Sequence, residues 1–339
     1  MARSKAGLLN RFSQAAAAVR KQSPLDPRSI PIAVFLLAIF AAETAYIAAS
    51  ELIFPAGLLL RVFWVLILIL AGGMLARHYG LTRIGNTLQA TALAPISSAL
   101  TVVGMVILTR FSTPFADDRL VAADQAMGLD WMAMFAVFQR NPVLLEVARV
   151  AYSSFYWQFI AICLVLFAIN RGGTGWRFLS AWVIALTVSA LIYPFFTAQG
   201  PYLYYGIVPS DIPNLHRDAP WTTGPIIEAI RSGQRTDVIG SMTGLIFFPS
   251  FHVAGAIMYI WTWWDFRFLR WPMLALNLVL IAAAPVFGLH YFIDLVGGAI
   301  VALGAIAASK LLVAAIERHM NLRPGHEISQ GSQPANSGS

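Results

Sequence analysis

The feature that most constrains this chain is a set of apolar runs, each long enough to cross a bilayer. A helix needs about 20 mostly apolar residues to span the hydrocarbon layer. Eight such runs occupy 31–50, 53–76, 88–109, 145–169, 178–198, 243–263, 272–290 and 293–316. The least regular, 88–109, carries Gln89, Thr91, Pro95, Ser97 and Ser98, and the fourth opens on Glu146 and Arg149. Membrane β-strands alternate over about ten residues, so continuous runs of this length exclude a barrel. Composition closes off a soluble domain as well. Hydrophobic residues make up 58% of the chain and charged residues 12%, whereas a soluble domain carries about 25% charged residues to cover its surface. The single cysteine, Cys163, excludes a disulfide framework and a cysteine-based zinc site. The expected fold is all-α: a polytopic membrane helical bundle of about eight transmembrane helices.

Orientation follows from where the basic residues fall. Arg3, Lys5, Arg11, Arg20, Lys21 and Arg28 precede the first run; Arg77 and Arg83 follow the second, Arg171 and Arg177 the fourth, Arg267 and Arg270 the sixth, and Lys310, Arg318 and Arg323 close the eighth. Fifteen of the 23 Lys and Arg residues therefore lie on one side. Arg110, Arg119, Arg140, Arg217, Arg231 and Arg235 lie on the other, with Arg61 and Arg149 inside runs. Both termini are expected to be cytoplasmic, so the net charge of +7 reads as membrane topology and not as nucleic-acid binding. The first run ends in Ala48, Ala49 and Ser50, like a cleavage site, yet it is long and interrupted by Glu43; it reads as a retained anchor. Glu43 and Arg61 are candidates for an intramembrane pair. Residues 324–339, rich in Gly, Ser, Pro, Asn and Gln, read as a disordered tail.

Two long connections lie on the non-cytoplasmic side. The first, 110–144, carries Asp117, Asp118, Asp124 and Asp130 and an apolar stretch from Trp131 to Phe138 that reads as an interfacial helix. The second, 199–242, contains QGPYLYYGIVPSDIPNLHRDAPW; loops this long without strong secondary structure are usually functional or disordered.

Ionisable residues in membrane segments are functional hypotheses by default. FFPSFHVAG places His252 near the outer start of the sixth run, and GLHYFIDLVGG places His290 at the outer end of the seventh with Asp294 four residues on. If the chain is helical there, residues four apart share a face. Asp294 could then accept the Nδ1–H of His290 and leave Nε2 free as a nucleophile, with His252 as general acid. Pro249 and Ser250 read as the opening of a helix whose N–H groups would favour an anion. Three other readings stand beside this one: interfacial hydrogen-bonded histidines, a zinc site of two His and one Asp, and a transporter using the cluster as a proton relay. No internal repeat of the transporter kind is visible.

At these residues the chain resembles the type 2 phosphatidic acid phosphatase superfamily, and within it the branch containing inositol phosphorylceramide synthase and its bacterial relatives. PSFHVAG (249–255) and GLHYFIDLVGG (288–298) carry the likeness, with weaker matches at 128–158 and 194–206. The resemblance covers roughly 120–316. It implies a six-helix core with its site at the non-cytoplasmic end, and metal-independent, cofactor-free phosphotransfer through phosphohistidine. In that reading His290 is the nucleophile, Asp294 its orienting partner and His252 the general acid, with Ser250 opening the second motif. Residues 1–30 form a basic cytoplasmic segment, 31–110 accessory helices, 111–317 the core, and 318–339 the tail. Membrane lipids are the expected partners, hydrolysis or headgroup transfer the expected reaction, and a bacterial inner membrane the expected location; an inactive scaffold is the residual alternative. The superfamily's first motif, a Lys followed by Arg-Pro, has no clear counterpart, and AAAPVFGL precedes His290 where Ser-Arg is usual. Arg231 is the first candidate to hold phosphate in their place. Arg217, Gln199, Tyr202, Tyr204, Tyr205, Arg149 and Tyr152 are further candidates, against the ordinary enrichment of Tyr in interfacial belts and of Arg at headgroups.

Overall fold

The computed structural model describes residues 23–53, 56–213, 215, 219–237 and 248–320. Among them are twelve α-helices and no strand. Seven helices are long and apolar enough to cross a membrane: α1 (Ile30–Ala48), α2 (Ala56–His78), α3 (Thr82–Thr109), α6 (Pro142–Ala168), α7 (Gly172–Ile192), α11 (Arg270–Phe287) and α12 (Phe292–His319). The chain is an integral membrane protein. Between α3 and α6 lie α4 (Asp117–Ala126) and α5 (Trp131–Arg140), and between α7 and α11 lie α8 (Pro201–Tyr204), α9 (Ala219–Arg231) and α10 (Phe251–Trp263).

Of the run 243–263, the described residues form a thirteen-residue helix, Phe251–Trp263; residues 243–247 lie outside the described set, as do the tail 324–339 and Arg217. The irregular run 88–109 belongs to a 28-residue helix that starts at Thr82 and keeps Pro95 in its interior. Two of its polar side chains are buried among neighbours: Gln89 donates to the Pro24 carbonyl (2.7 Å) and Ser97 to that of Ala94 (2.7 Å). The fourth run opens at Pro142, which suits a first helical position, with Glu146 and Arg149 paired on its exposed face. The connection 199–242 is more ordered than its composition implies, containing α8, α9 and a 3₁₀ turn over Pro209–Asp211.

α1 buries little more than Ile32 and Leu36, so most of its surface remains for lipid. One core cluster, around Trp176, Trp182 and Tyr259, fills the bundle interior; a second, around Trp131, Tyr202 and Tyr291, fills the end from which α4, α5 and the 199–237 connection emerge. Polar pairs lock the helices between them. Gln158 and Asn277 exchange amide hydrogen bonds across α6 and α11 (2.7 and 3.2 Å), and Tyr259 of α10 donates to the Phe155 carbonyl of α6 (2.8 Å). Such bonds hold helices together where the apolar surroundings supply no net drive.

The opposite end carries a buried ionic cluster. Arg28 meets Glu317 at 3.0 Å, and Arg77 reaches Asp26 at 3.3 Å and Asn86 at 2.5 Å. These contacts tie the segment before α1 to α2, α3 and the end of α12. Glu43 places its carboxyl on the Gly104 backbone of α3 while Arg61 is exposed, so the suggested pairing of those two is replaced by a side chain–backbone contact.

Candidate active site

His290 does not sit on a helix. α11 ends at Phe287 and α12 begins at Phe292, leaving Gly288–Tyr291 as a tight corner in which Leu289 takes a left-handed φ of +61°. The four-residue spacing works by another route. Asp294 occupies the third position of α12, and its Oδ2 reaches back to accept the Tyr291 N–H (2.9 Å). The same oxygen lies 3.3 Å from His290 Nδ1, at the long edge of hydrogen-bonding range. Both side chains are buried, at 1% and 0% exposure. A carboxylate satisfying a helix N-terminus thus also faces one ring nitrogen, Nδ1 of His290.

His252 is the second residue of α10, whose N-cap is Ser250: the serine hydroxyl accepts from Val253 N–H. The imidazole is packed between the rings of Tyr152 and Phe155, each 4.4 Å away between centroids. Its ring centre lies 6.5 Å from that of His290. The two motif blocks are joined directly, because Ser250 N–H donates to the Asp294 carbonyl (3.0 Å). That contact depends on Gly298. A Cβ there would press into the Ser250 carbonyl closer than any real Cβ contact, so only glycine lets α12 approach this backbone. Gly288 plays a similar part, since a Cβ would sit 2.5 Å from the His290 ring and 2.8 Å from the Tyr152 hydroxyl.

The corner holding His290 is clamped from outside by residues whose role the sequence did not reveal. Trp131, first residue of α5, donates its indole N–H to the His290 carbonyl (3.1 Å). The two carboxylate oxygens of Asp124 accept from Phe292 and Ile293 N–H (2.9 and 2.7 Å) and cap α12. Asp117 accepts from the Tyr291 hydroxyl (2.7 Å) and from Gln199 and Gly200 N–H (3.0 Å each). Burial pushes the Asp124 carboxyl above the ordinary carboxylate range, against the pull of its two N–H donors. The visible signal was a run of aspartates in a long connection of a chain otherwise poor in charge, with nothing to say which backbone groups they meet. The stretch Trp131–Phe138 also turns inward, burying Trp131, Phe135 and Phe138.

Tyr152 is at the site, stacked on His252. Tyr202 is fully buried, with its hydroxyl on the Val286 carbonyl (3.1 Å) and its ring among Trp131, Phe135 and Trp221, which is a packing role. Tyr205 stacks on Trp131, Tyr204 bonds Asp118, and Gln199 joins the clamp through its backbone. Arg149 pairs with Glu146 at 2.7 Å on an exposed turn of α6. Arg231 donates to the hydroxyls of Ser112 and Thr197 (3.2 Å each), pairs with Glu228 (3.1 Å) and lies over the Phe115 ring. It reaches the motif blocks through packing: Phe196, next to Thr197, packs at a tilt on Phe248, which abuts the backbone of Gly297. No group of three or more metal-ligating side chains occurs among the described residues.

The structure brings two imidazoles together, with His290 buried and backed by the Asp294 carboxylate and His252 half-buried beside it, side-chain types suited to moving protons and transferable groups. Residues 118–308, more than half of the chain, match the family model of the PAP2 superfamily, and the chain belongs to that family. Its members are phosphoesterases, which places the protein among phosphatases and phosphotransferases. Comparison with curated proteins and with solved structures gives no match. His252, His290, Asp294 and the clamp residues other than Asp117 fall inside the matched range, whereas α1, α2 and α3 precede it.

Proposed function

We propose that this protein is a membrane-embedded lipid phosphatase or headgroup phosphotransferase that acts at the extracytoplasmic leaflet through a phosphohistidine. The observation that carries the reading is the pair of imidazoles 6.5 Å apart with Asp294 behind only one of them. That asymmetry separates the roles. With its Nδ1–H held toward Asp294, His290 presents the Nε2 lone pair, which attacks phosphorus as the bond to the lipid oxygen breaks. His252, facing it, gives its proton to the departing alkoxide. In the second half His252, now neutral, takes a proton from water or from a lipid alcohol. The oxygen attacks phosphorus, the P–N bond breaks, and His290 is restored.

The absence of a Ser-Arg pair before His290 favours the sphingolipid-synthase-like branch, and with it transfer between lipids. Arg231, held by Ser112, Thr197 and Glu228 one layer of packing from the motif blocks, is the cation we assign to the substrate's polar end. The extracytoplasmic placement rests on the distribution of Lys and Arg, and a bacterial inner membrane fits the same branch. The test uses purified protein in detergent with a chelator present, supplied with lipid phosphates. His290→Ala is expected to abolish phosphate release or headgroup exchange, and His252→Ala to cripple turnover while the protein stays folded. Full activity in His290→Ala refutes the nucleophile; loss of activity on adding chelator alone refutes the metal-independent step.

A further inference from the structure

A groove of about 450 Å³ runs along the bundle between α3, α6 and α7 and ends on His252. Its open edge faces sideways: Tyr156 and Ile160 on its α6 wall are 64% and 46% exposed, and Pro95 on its α3 wall is exposed too. The surface is apolar in a specific way. The hydroxyls of Ser98 and Thr101 are turned onto their own helix, bonding the carbonyls of Ala94 (3.4 Å) and Ser97 (2.8 Å). The other side chains with polar groups that line the groove are Tyr156, Trp182 and His252, and of these the imidazole belongs to the site. A hydrocarbon lining closed by a catalytic imidazole matches an amphiphile whose polar end is a phosphate.

We propose that this groove holds one hydrocarbon chain of the substrate lipid while its phosphate sits between His252 and His290, and that α3, a helix outside the family-matched region, decides which chains fit. The proposal rests on the phosphotransfer reading above and adds its substrate determinant. The walls from Met105 to Pro95 span ten residues of α3, about 15 Å at 1.5 Å per residue. A chain leaving the bilayer for such a groove gains no hydrophobic free energy, because lipid tails are as apolar as leucine. Selection therefore acts through shape, and narrowing the groove discriminates against the tail while sparing the chemistry.

The experiment compares two probes on the purified full chain: dioleoyl phosphatidic acid and the tail-less ester p-nitrophenyl phosphate. Ser98→Phe and Thr101→Phe each place a ring in the groove and are expected to lower the ratio of kcat/KM for lipid over ester by about tenfold or more, the size of a strong overpacking effect. Leu68→Phe, on an exposed face of α2, is the control, with a ratio within about twofold of wild type. In parallel, a phosphatidic acid bearing a diazirine at the methyl end of one chain is expected to label the 95–105 peptide of the wild type. Unchanged ratios together with labelling elsewhere overturn the groove and leave the histidine chemistry standing. If the wild type turns over neither probe, the phosphotransfer reading fails, and the labelling alone decides the groove. If the phenylalanine variants do not fold, the labelled position again decides.

Discussion

Gly298→Ala adds one methyl group where α12 meets the Ser250 carbonyl. The new Cβ would overlap that oxygen and lie 3.2 Å from the Ser250 carbonyl carbon and from Val253 Cβ. Restoring ordinary contact requires the two backbones to part by about 1 Å. Neither wall yields easily, because Ser250 is the N-cap of α10 and Asp294 sits one turn from Gly298 on α12. Overpacking of this kind costs about 1–3 kcal/mol. Stretching the Ser250 N–H bond to the Asp294 carbonyl adds about 1 kcal/mol, for a loss of about 2–4 kcal/mol. The catalytic consequence is larger than the stability loss implies, since His252 and His290 ride on the two parts being separated and a displacement of about 1 Å at a reacting centre can cost about 10²-fold in rate. The assay is kcat on a lipid phosphate beside thermal unfolding in detergent, with Gly304→Ala as comparator. Gly304 lies on the same helix with nothing within 4 Å of its Cβ position, so that variant is expected to keep full activity and equal or greater stability. Gly298→Ala as active as Gly304→Ala would refute the account of how the two motif blocks are held.

Three further outcomes are expected. Asp294→Asn keeps an acceptor for the Tyr291 N–H but frees the His290 tautomer, and is expected to lower kcat by about 10³–10⁴ with little change in KM, as in other His–Asp pairs; a loss under tenfold contradicts the orienting role. Trp131→Phe preserves the stacking on Phe135 and Tyr205 but deletes the indole bond to the His290 carbonyl, about 1 kcal/mol; kcat is expected to fall several-fold, read against unchanged expression and folding. Asp124→Asn tests the cap of α12. Because burial raises the Asp124 carboxyl above its ordinary 3.8, its stabilising contribution is complete at low pH and declines as pH rises through the raised value. The stability difference between wild type and Asp124→Asn is therefore expected to shrink from pH 4 towards neutrality, and a widening difference contradicts the assignment.

The spans were legible because hydrocarbon thickness dictates run length, and the boundaries of α1, α2, α11 and α12 lie within a few residues of the apolar limits. His252, His290 and Asp294 were legible as ionisable groups in apolar surroundings. The local geometry was not: spacing alone suggested one helix face, whereas a chain corner and an N-terminal carboxylate produce the same proximity. Trp131, Asp117 and Asp124 stayed hidden because they meet the 290–293 corner from about 160 residues away or more, and nothing local distinguishes a clamping aspartate from a solvated one. Arg28 and Arg77 show the converse. They were counted as topology signals, yet both are buried against carboxylates, so a residue can carry orientation information and hold helices together. Tyr202 resembled a ligand contact because aromatic residues in a loop often are; its burial follows from α8 folding under α5.

The most direct test of the central claim is to trap the covalent enzyme. Wild-type protein turning over a radiolabelled lipid phosphate, quenched in alkali and digested, should carry acid-labile label on the peptide containing His290, and His290→Ala should carry none. Label on another residue, or sustained turnover by His290→Ala, would contradict the account.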